Sequence, residues 1–543
     1  MHSRVDLLGP RFRRKDDCFP EFLAQHQTRL RSLQKRPVAS AAALCHDPLH
    51  IPDLDQCDLD LKISTEERSP FLIRISVLVL LFAISAIPLG AEDWLQFRGP
   101  GGNGISTSKN LPVQFGSEKN VVWQTPLPAG HSSPVVVGNS IFLTAFEDKK
   151  LLTLRLERST GRVLWRREAP RDRFEPYQQT NTPASPTPVT DGESVFVFFG
   201  DFGLLAYDLD GTEVWRLPLG PFNNVNGHGS SPILAGNKLV LICDQDVGSY
   251  LIAVNKQTGK VLWKINRPEV ARGYATPGVF QPKHGSAELI VPGAFQLISY
   301  DLESGKKLWW VTGMAWQLKS VPLFQGDMIY VNGWETGGDT DYPPTILSFE
   351  QVLEKQDADG DGRLSKSELP ADVKFSPDED LDSDGLIDAR DWNFRRTRRT
   401  AQNSLVAVRH GGRGDVTQSH VVWRHRKALP NVPSPLLYEG VLYLVKDGGI
   451  VTTLDPKTGE VLKQGRLPSA TERYWASPVA ADGKVYIASE SGKVSVLKAG
   501  RQWEVLTLNE LADECFATPA IADGKIYLRT RTRLFCFGLK QGD

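Results

Sequence analysis

At 543 residues, with 41% hydrophobic and 23% charged side chains, the chain has an ordinary globular composition and enough length to bury a large core. Its 63 lysines and arginines nearly balance 64 aspartates and glutamates, giving a net charge of −1, and no basic patch stands out; this sets nucleic acid aside as a partner. Length alone suggests several domains, but closed all-β folds run well past ~200 residues as one unit, so the count has to come from repeats.

Residues 1–70 show little periodic hydrophobicity. Within 71–91, the stretch from Ile75 to Ala91 is uncharged and apolar, with Arg68 and Arg74 before it and Glu92 and Asp93 after it, and it reads as a signal peptide or signal anchor. Pro88, Gly90 and Ala91 place cleavage near Ala91, although Leu89 is larger than the usual −3 residue. Left uncleaved, the run would anchor the chain in a membrane with its basic side inside. On either reading the remainder is exported, into the periplasm or another extracytoplasmic space. The only methionines are Met1, Met314 and Met328, so one expectation is a start at a non-methionine codon shortly before Phe71. The other is a disordered cytoplasmic tail ahead of an anchor. Beyond this run only Cys243, Cys515 and Cys536 remain, an odd number without metal-ligand spacing, which argues for no disulfide framework and no zinc site.

From residue 92 onward the chain repeats. A Ser/Thr-Pro or related step opens a β-rich run at Pro134, Pro186, Pro232, Pro277, Pro322, Pro435, Pro478 and Pro519, at spacings of 52, 46, 45, 45, 113, 43 and 41 residues. Only the fifth departs from the ~40–50 residues of a four-stranded propeller blade. Each unit has a short apolar strand, a turn such as Val137-Gly138-Asn139, and a second strand. A third and fourth strand follow, joined by tight turns such as Ser159-Thr160-Gly161-Arg162 and Gln257-Thr258-Gly259-Lys260, where glycine supplies the positive φ. A tryptophan then falls on the fourth strand, at Trp165, Trp215, Trp263, Trp309 and Trp423, placed to pack between neighbouring units. In the sixth unit Leu462 is read at that position. The last unit ends after three strands, while Val121-Val122-Trp123 stands alone before the first; this N-terminal strand is expected to complete the last blade and close the ring. The fold class predicted is all-β, an eight-bladed propeller of four-stranded antiparallel blades with a small α-helical insertion; seven blades is the alternative.

The runs from Ala253 to Trp263 and from Tyr300 to Trp309 resemble the tryptophan-docking motif of PQQ-like propellers, the superfamily of quinoprotein dehydrogenases and of the barrel-assembly protein BamB. The resemblance covers roughly residues 93–540, and Asp93-Trp94-Leu95-Gln96-Phe97-Arg98-Gly99-Pro100 looks like the start of exported bacterial members. It implies the fold far more specifically than an activity.

The long fifth unit divides the propeller into 92–343 and 401–541, with 344–400 inserted. In the insert, Asp357, Asp359, Asp361, Arg363 through its carbonyl, Ser365 and Glu368 fill every ligand position of an EF-hand loop, with Gly362 at the sharp turn. A hard cation needs six or more oxygens, and this spacing supplies them for Ca²⁺. A second loop offers Asp380, Asp382, Asp384, the Leu386 carbonyl, Asp388 and Asp391, whose shorter carboxylate at the last position predicts a weaker or more Mg²⁺-tolerant site. Pro370 and Pro377 between the loops leave no room for full helices there, so the pair is compressed. Phe349, Val352 and Leu353 give the entering helix an apolar face for Trp392 and Phe394. Because the loop between second and third strands lies on the face where the chain crosses between blades, the insert belongs at the mouth end of the channel.

Residues just before each proline step should converge on that mouth: His131, Thr182, His228, Tyr274, Lys319, Asn431, Trp475 and Phe516, with Asp201, Asp244 and Asp246 on neighbouring loops. Such a rim suits a polar small molecule or a protein partner. Asp201-Phe202-Gly203 copies a kinase triplet without its companion motifs and reads as a turn, and Arg413-Gly414-Asp415 reads as part of a glycine-rich hairpin turn. The resemblance leaves two functions in view. One is a binding or scaffolding propeller similar to BamB in role, although Glu92 stands where a lipidated cysteine would anchor BamB. The other is a quinoprotein oxidoreductase of alcohols or sugars, whose relatives hold PQQ with an adjacent cysteine pair, a tryptophan floor and Ca²⁺. No two cysteines are adjacent here, so PQQ is not expected and no catalytic residue is assigned.

Overall fold

In each repeat, alternating apolar runs and positive-φ turns fold into a four-stranded antiparallel sheet, and eight such sheets are present. A computed structural model describes residues 92–336, 338 and 344–539; the expectations attached to residues 1–91 lie outside the described residues. Among the described residues, no helix is long and apolar enough to cross a membrane. Blades 1 to 7 span 135–169, 189–218, 233–266, 278–311, 323–425, 436–466 and 479–510. Blade 8 takes three strands from 520–538 and its outermost from Val121–Pro126, which pairs antiparallel with Arg533–Gly538. A strand that precedes the first blade and the third strand of the last blade thus close the ring, leaving no missing edge in the last sheet. First strands of neighbouring blades approach one another, including that of blade 8 with that of blade 1, so they form the inner wall.

The proline steps hold that inner wall together. Ser133 N–H donates to Thr187 Oγ1, Thr187 N–H to Ser231 Oγ, and Ser231 N–H to Thr276 Oγ1, each at 3.0 Å. The chain of bonds resumes from Val321 N–H to Ser434 Oγ, Ser434 N–H to Ser477 Oγ, Ser477 N–H to Thr518 Oγ1, and Thr518 N–H back to Ser133 Oγ, again at 3.0 Å. The residue before each proline therefore satisfies a buried backbone donor of the preceding blade, and the belt breaks once, at Thr276, because Val321 has no hydroxyl. This register corrects the second repeat, whose step is Thr187-Pro188 and not Pro186; the spacings on either side become 54 and 44 residues.

Between blades the tryptophans act as clamps. A bulge interrupts the pairing of third and fourth strands in all eight blades and turns the outer strand toward its neighbour. From that strand Trp123, Trp165, Trp215, Trp263 and Trp423 donate Nε1–H to a carbonyl in the next blade's turn, at 2.7–3.3 Å. The glycine of that turn is needed for close approach as well as for its φ: a Cβ on Gly161 or Gly259 would lie 2.4 or 2.7 Å from the docked ring. In blade 6 the equivalent position is Lys463, not Leu462, since Thr453 pairs with Lys463 as Ala253 pairs with Trp263. There the clamp is reversed, with Lys463 Nζ 4.5 Å from the Trp503 ring of blade 7 and donating to its carbonyl at 2.6 Å.

Residues 92–120 form a strap across the opposite end of the channel. Trp94 bridges to Val136 of blade 1, Gly102 lies against Val321 at the entry to blade 5, and Ile105 bridges to Ala480 of blade 7. Arg98 fixes the crossing: its buried guanidinium donates to the carbonyls of Gly102, Asn103, Ser434 and Pro435 at 2.7–3.4 Å. The insert leaves blade 5 after Met328–Gly333 and returns at Ser404–Arg409. Its two helices are α1 (Phe349–Gln356) and α2 (Ala389–Thr400), capped through reciprocal bonds by Ser348 with Gln351 and by Asp388 with Asp391. Phe349, Val352, Leu364, Ile387 and Trp392 make its core. Residues 411–416 are not the simple hairpin turn read from the sequence: Gly414–Asp415 adds a fifth, parallel strand to blade 4 beside Trp309 and Trp310, and Asp415 accepts from Thr417.

Candidate functional site

The channel holds a cavity of about 390 Å³ at the insert end, floored by Phe97 of the strap and ringed below by the hydroxyl belt. Two residues before each belt position, one residue per blade faces this space. His131, Tyr274, Lys319, Trp475 and Phe516 stand in that register and line it. Thr182, His228 and Asn431 do not; their places are taken by Ser185, Gly229 and Val432. The reason is a count: the three lie one or more residues outside the spacing that Thr187, Ser231 and Ser434 set. Thr182 instead caps a turn by accepting from Ala184 N–H. His228 is buried against Phe198 and Phe222, with ring centroids 5.3 and 4.3 Å away, and burial then the nearby Arg173 charge pull its pKa down to about 4. Gln178, Thr180, Asn181, Asn226 and Gln317, which the sequence reading missed, complete the wall. A consistent step back from each Ser/Thr-Pro would have found Ser185, Gly229 and Val432, but nothing local marks the amides.

The wall is divided by chemistry. Blades 7, 8 and 1 contribute rings: His131 stacks on Phe516 at 4.2 Å and 12°, and Trp475 lies 6.0 Å from Phe516. Burial, with the charges of Arg529 and Arg531, drives His131 down to about 3, so it is a neutral aromatic surface. Blades 2 to 5 contribute amides, hydroxyls and one amine. Tyr274 OH accepts from Asn226 Nδ2 at 2.6 Å and donates to Asn224 Oδ1 at 3.2 Å. Lys319 is the one cation among the described lining residues; burial lowers its pKa to about 8 against the opposing pull of Glu335. The described lining residues include no carboxylate and no cysteine. Asp201, Asp244 and Asp246, read as rim ligands, are instead buried in ion pairs with Arg171, Arg267 and Arg272 at 2.5, 2.8 and 2.5 Å, where they tie loops together. Cys243, Cys515 and Cys536 are buried free thiols, pushed up to about 12 by burial, and none of them lines the cavity.

Beside the mouth the insert rests on loops of blades 3 and 4. Phe394 meets Trp316 edge-on at 5.1 Å and Phe295 at 5.5 Å. Arg398 stacks on Trp316 at 4.2 Å and pairs with Glu335 at 2.8 Å, while Arg272 reaches Asp378 at 3.2 Å. Asn223 Nδ2 donates to the Leu381 carbonyl and Arg390 to that of Asp246. Arg272 lies two residues before Tyr274, and Trp316 three before Lys319, so the docked loops are those that carry two wall residues.

Each loop of the insert gathers three carboxylates, Asp357, Asp359 and Asp361 in one and Asp380, Asp382 and Asp384 in the other, with ligand atoms within 4.8 Å. The loops pair through two bonds between Leu364 and Ile387, N–H to carbonyl at 3.0 and 2.9 Å. Glu368 accepts from Ala358 and Ser365 N–H, and Asp391 from Leu381 and Asp388 N–H, so the two terminal carboxylates hold matching places. Gly362 and Gly385 N–H donate to Asp357 and Asp380. The carbonyl-bearing positions, Arg363 and Leu386, follow directly. The loops differ in exposure: hydrogen bonds from Ser365 lead those that hold Glu368 down at about 2, whereas burial pushes Asp391 up to about 6. Asp380 Oδ1 is buried with no hydrogen-bond partner.

The family described as outer membrane protein assembly factor BamB matches residues 115–248 and 247–543. No curated protein matches the chain. Among solved structures, a europium-containing methanol dehydrogenase is similar over 82% of this chain and 98% of its own, at 10% identity and a TM-score of 0.54. A quinohemoprotein alcohol dehydrogenase from Pseudomonas putida HK5 is similar over 82% of this chain and 80% of its own, at 12% identity and 0.52. BamB from Moraxella catarrhalis covers 77% of this chain and 99% of its own, at 10% identity and 0.48. At such identities the likeness speaks for the fold alone.

Proposed function

The chain belongs to the family of outer membrane protein assembly factor BamB, and from that premise we propose that it is an exported binding propeller whose Ca²⁺-holding insert buttresses two loops of its binding mouth. The observation that carries this reading is the cavity lining: amides, hydroxyls, aromatic rings and one amine, with no carboxylate or thiol among the described lining residues. The belt hydroxyls are engaged as acceptors of backbone N–H, and His131 is stacked on a ring. Recognition is provided for, and an acid–base or nucleophilic set is not. Export is supported by the apolar run within 71–91 and by a family described as an outer membrane protein assembly factor; that run would also serve as an anchor.

For Ca²⁺ the residues fit. Asp357, Asp359, Asp361, the Arg363 carbonyl, Ser365 and Glu368 would hold one ion, and Asp380, Asp382, Asp384, the Leu386 carbonyl, Asp388 and Asp391 a second. The buried, unpartnered Asp380 Oδ1 supports a cation in the second loop, since an ionised oxygen left alone there is costly. The ion would neutralise clustered carboxylates and so order the insert that packs on Trp316 and Arg272.

PQQ does not fit. The floor is Phe97 rather than a tryptophan, no cysteine pair lies at the cavity, and no lining carboxylate is present to hold the accompanying metal. The test is capture on the full-length tagged protein from a native envelope, with and without chelator, in parallel with addition of PQQ and Ca²⁺ to the purified protein. A partner retained only with Ca²⁺ and lost on Trp475→Ala supports the reading. A quinone absorbance with dye-linked alcohol or sugar oxidation overturns it.

A further inference from the structure

The division of the cavity wall says what shape and charge of ligand it accepts. A platform of neutral rings, Trp475, Phe516 and His131, faces a bank of polar groups across the channel. On that bank the side chains of Gln178, Thr180, Gln317 and Lys319 make no hydrogen bond within the protein among the described residues, so their donors and acceptors are left to solvent or ligand. A hydroxylated saturated ring has this same split, with C–H groups on one face and hydroxyls around its rim: the face lies on aromatic carbon while the hydroxyls pair with amides. Charge narrows the class. The only ionic group among the described lining residues is the Lys319 amine, and no lining carboxylate opposes an anion. Size narrows it further, because about 390 Å³ lies at the lower end of the ~300–1,000 Å³ typical of small-molecule sites, and the strap closes the far side beneath Phe97.

The geometry points to a uronic acid as the ligand of the mouth: a sugar ring stacked against Trp475 and Phe516, its hydroxyls met by Gln178, Thr180 and Gln317, and its carboxylate paired with Lys319. This rests on the binding reading above and names its ligand class. A cup with one opening admits a free uronic acid or the end of a uronate chain, and not the middle of one. Lys319 is also the group that makes binding depend on pH. Burial sets its pKa near 8; Glu335 is the charged group that acts on it, Glu335 is itself paired with Arg398, and His131 across the cavity is uncharged. The protonated amine binds the anion, so affinity holds below pH 7 and falls as pH rises through 8.

The experiment is calorimetric titration of the full chain, in Ca²⁺, with galacturonate, reduced-carboxyl galactose, a galacturonate trimer, and the trimer blocked at its non-reducing end. Galacturonate is expected to bind at least tenfold more tightly than galactose, and to weaken about tenfold between pH 7 and 9 while galactose does not change. Lys319→Met should bring galacturonate to the level of galactose, and Trp475→Ala should weaken both, with unchanged melting curves showing that the variants fold. The open trimer binding while the blocked one does not identifies a chain end; both failing while the monomer binds identifies a free acid. Equal binding of the acid and the neutral sugar, or no binding of either to folded wild type, overturns the assignment. A Ca²⁺-dependent protein partner found alongside that negative result would leave the binding reading standing.

Discussion

Six of the eight blade junctions are built from the repeat, or by a local variation of it; between blades 7 and 8 Thr507 stands where the ring would be and Phe115 of the strap fills in, 4.7 Å from Phe537, while the junction between blades 4 and 5 is rebuilt. At the regular junctions a ring on the outer strand docks on a glycine turn and donates to its carbonyl, as Trp215 does at Lys256. At the fourth, Trp309 has no such turn to meet, because blade 5 carries the insert and a rebuilt loop at 410–420. Its Nε1–H donates inward, to Glu288 at 3.0 Å, and Glu288 also accepts from Ser299 at 2.5 Å and lies 3.1 Å from His410. The added strand Gly414–Asp415 covers the open edge, and the belt gap at Val321 lies at this same junction. An insertion that docks beside the mouth thus removes one repeat contact and replaces it with a buried carboxylate and a fifth strand.

The largest expected effect comes from breaking a regular clamp. Trp215→Ala should lower unfolding stability by about 3–5 kcal/mol, read from denaturant melts, through the lost burial and the cavity left behind. At the rebuilt junction Glu288→Ala leaves Trp309 Nε1 and Ser299 Oγ without an acceptor and should cost about 3 kcal/mol; a cost near zero would mean the carboxylate does not hold the junction. Metal removal probes the insert. If Ca²⁺ stands at 100 times its Kd, chelation should lower stability by about 2.7 kcal/mol, seen as a shift in the melting curve that Asp361→Ala reproduces in part. The smallest effect is a gain: Val321→Thr places a hydroxyl opposite Thr276 N–H, closes the belt, and should add about 1 kcal/mol.

The ring was legible because each blade must solve the same problem with the same residues: a hydroxyl for a buried N–H, a glycine for a close approach, a ring for the gap between sheets. Closure by Val121–Pro126 followed from counting strands. Register was less legible where the sequence offers two answers. Ser185-Pro186 and Thr187-Pro188 look alike locally, and only the acceptor needed by Ser133 N–H selects the second. Counting two residues back from the first gives Pro183, and from the second Ser185, which is the one that lines the cavity. Lys463 escaped notice because a cation–ring contact keeps the geometry with the partners exchanged. The ion pairs of Asp201, Asp244 and Asp246, and the strap that makes Phe97 a floor, depend on contacts between segments far apart in the chain, which no local pattern records.

The claim that mouth and insert are one surface is tested most directly by hydrogen exchange on the full chain with and without Ca²⁺. The account predicts added protection in the loops at 357–391 and, through Arg272–Asp378 and Trp316–Phe394, in the segments 267–274 and 314–319, with blades 6 to 8 unchanged. Protection that stops at the insert, or none anywhere, would contradict it.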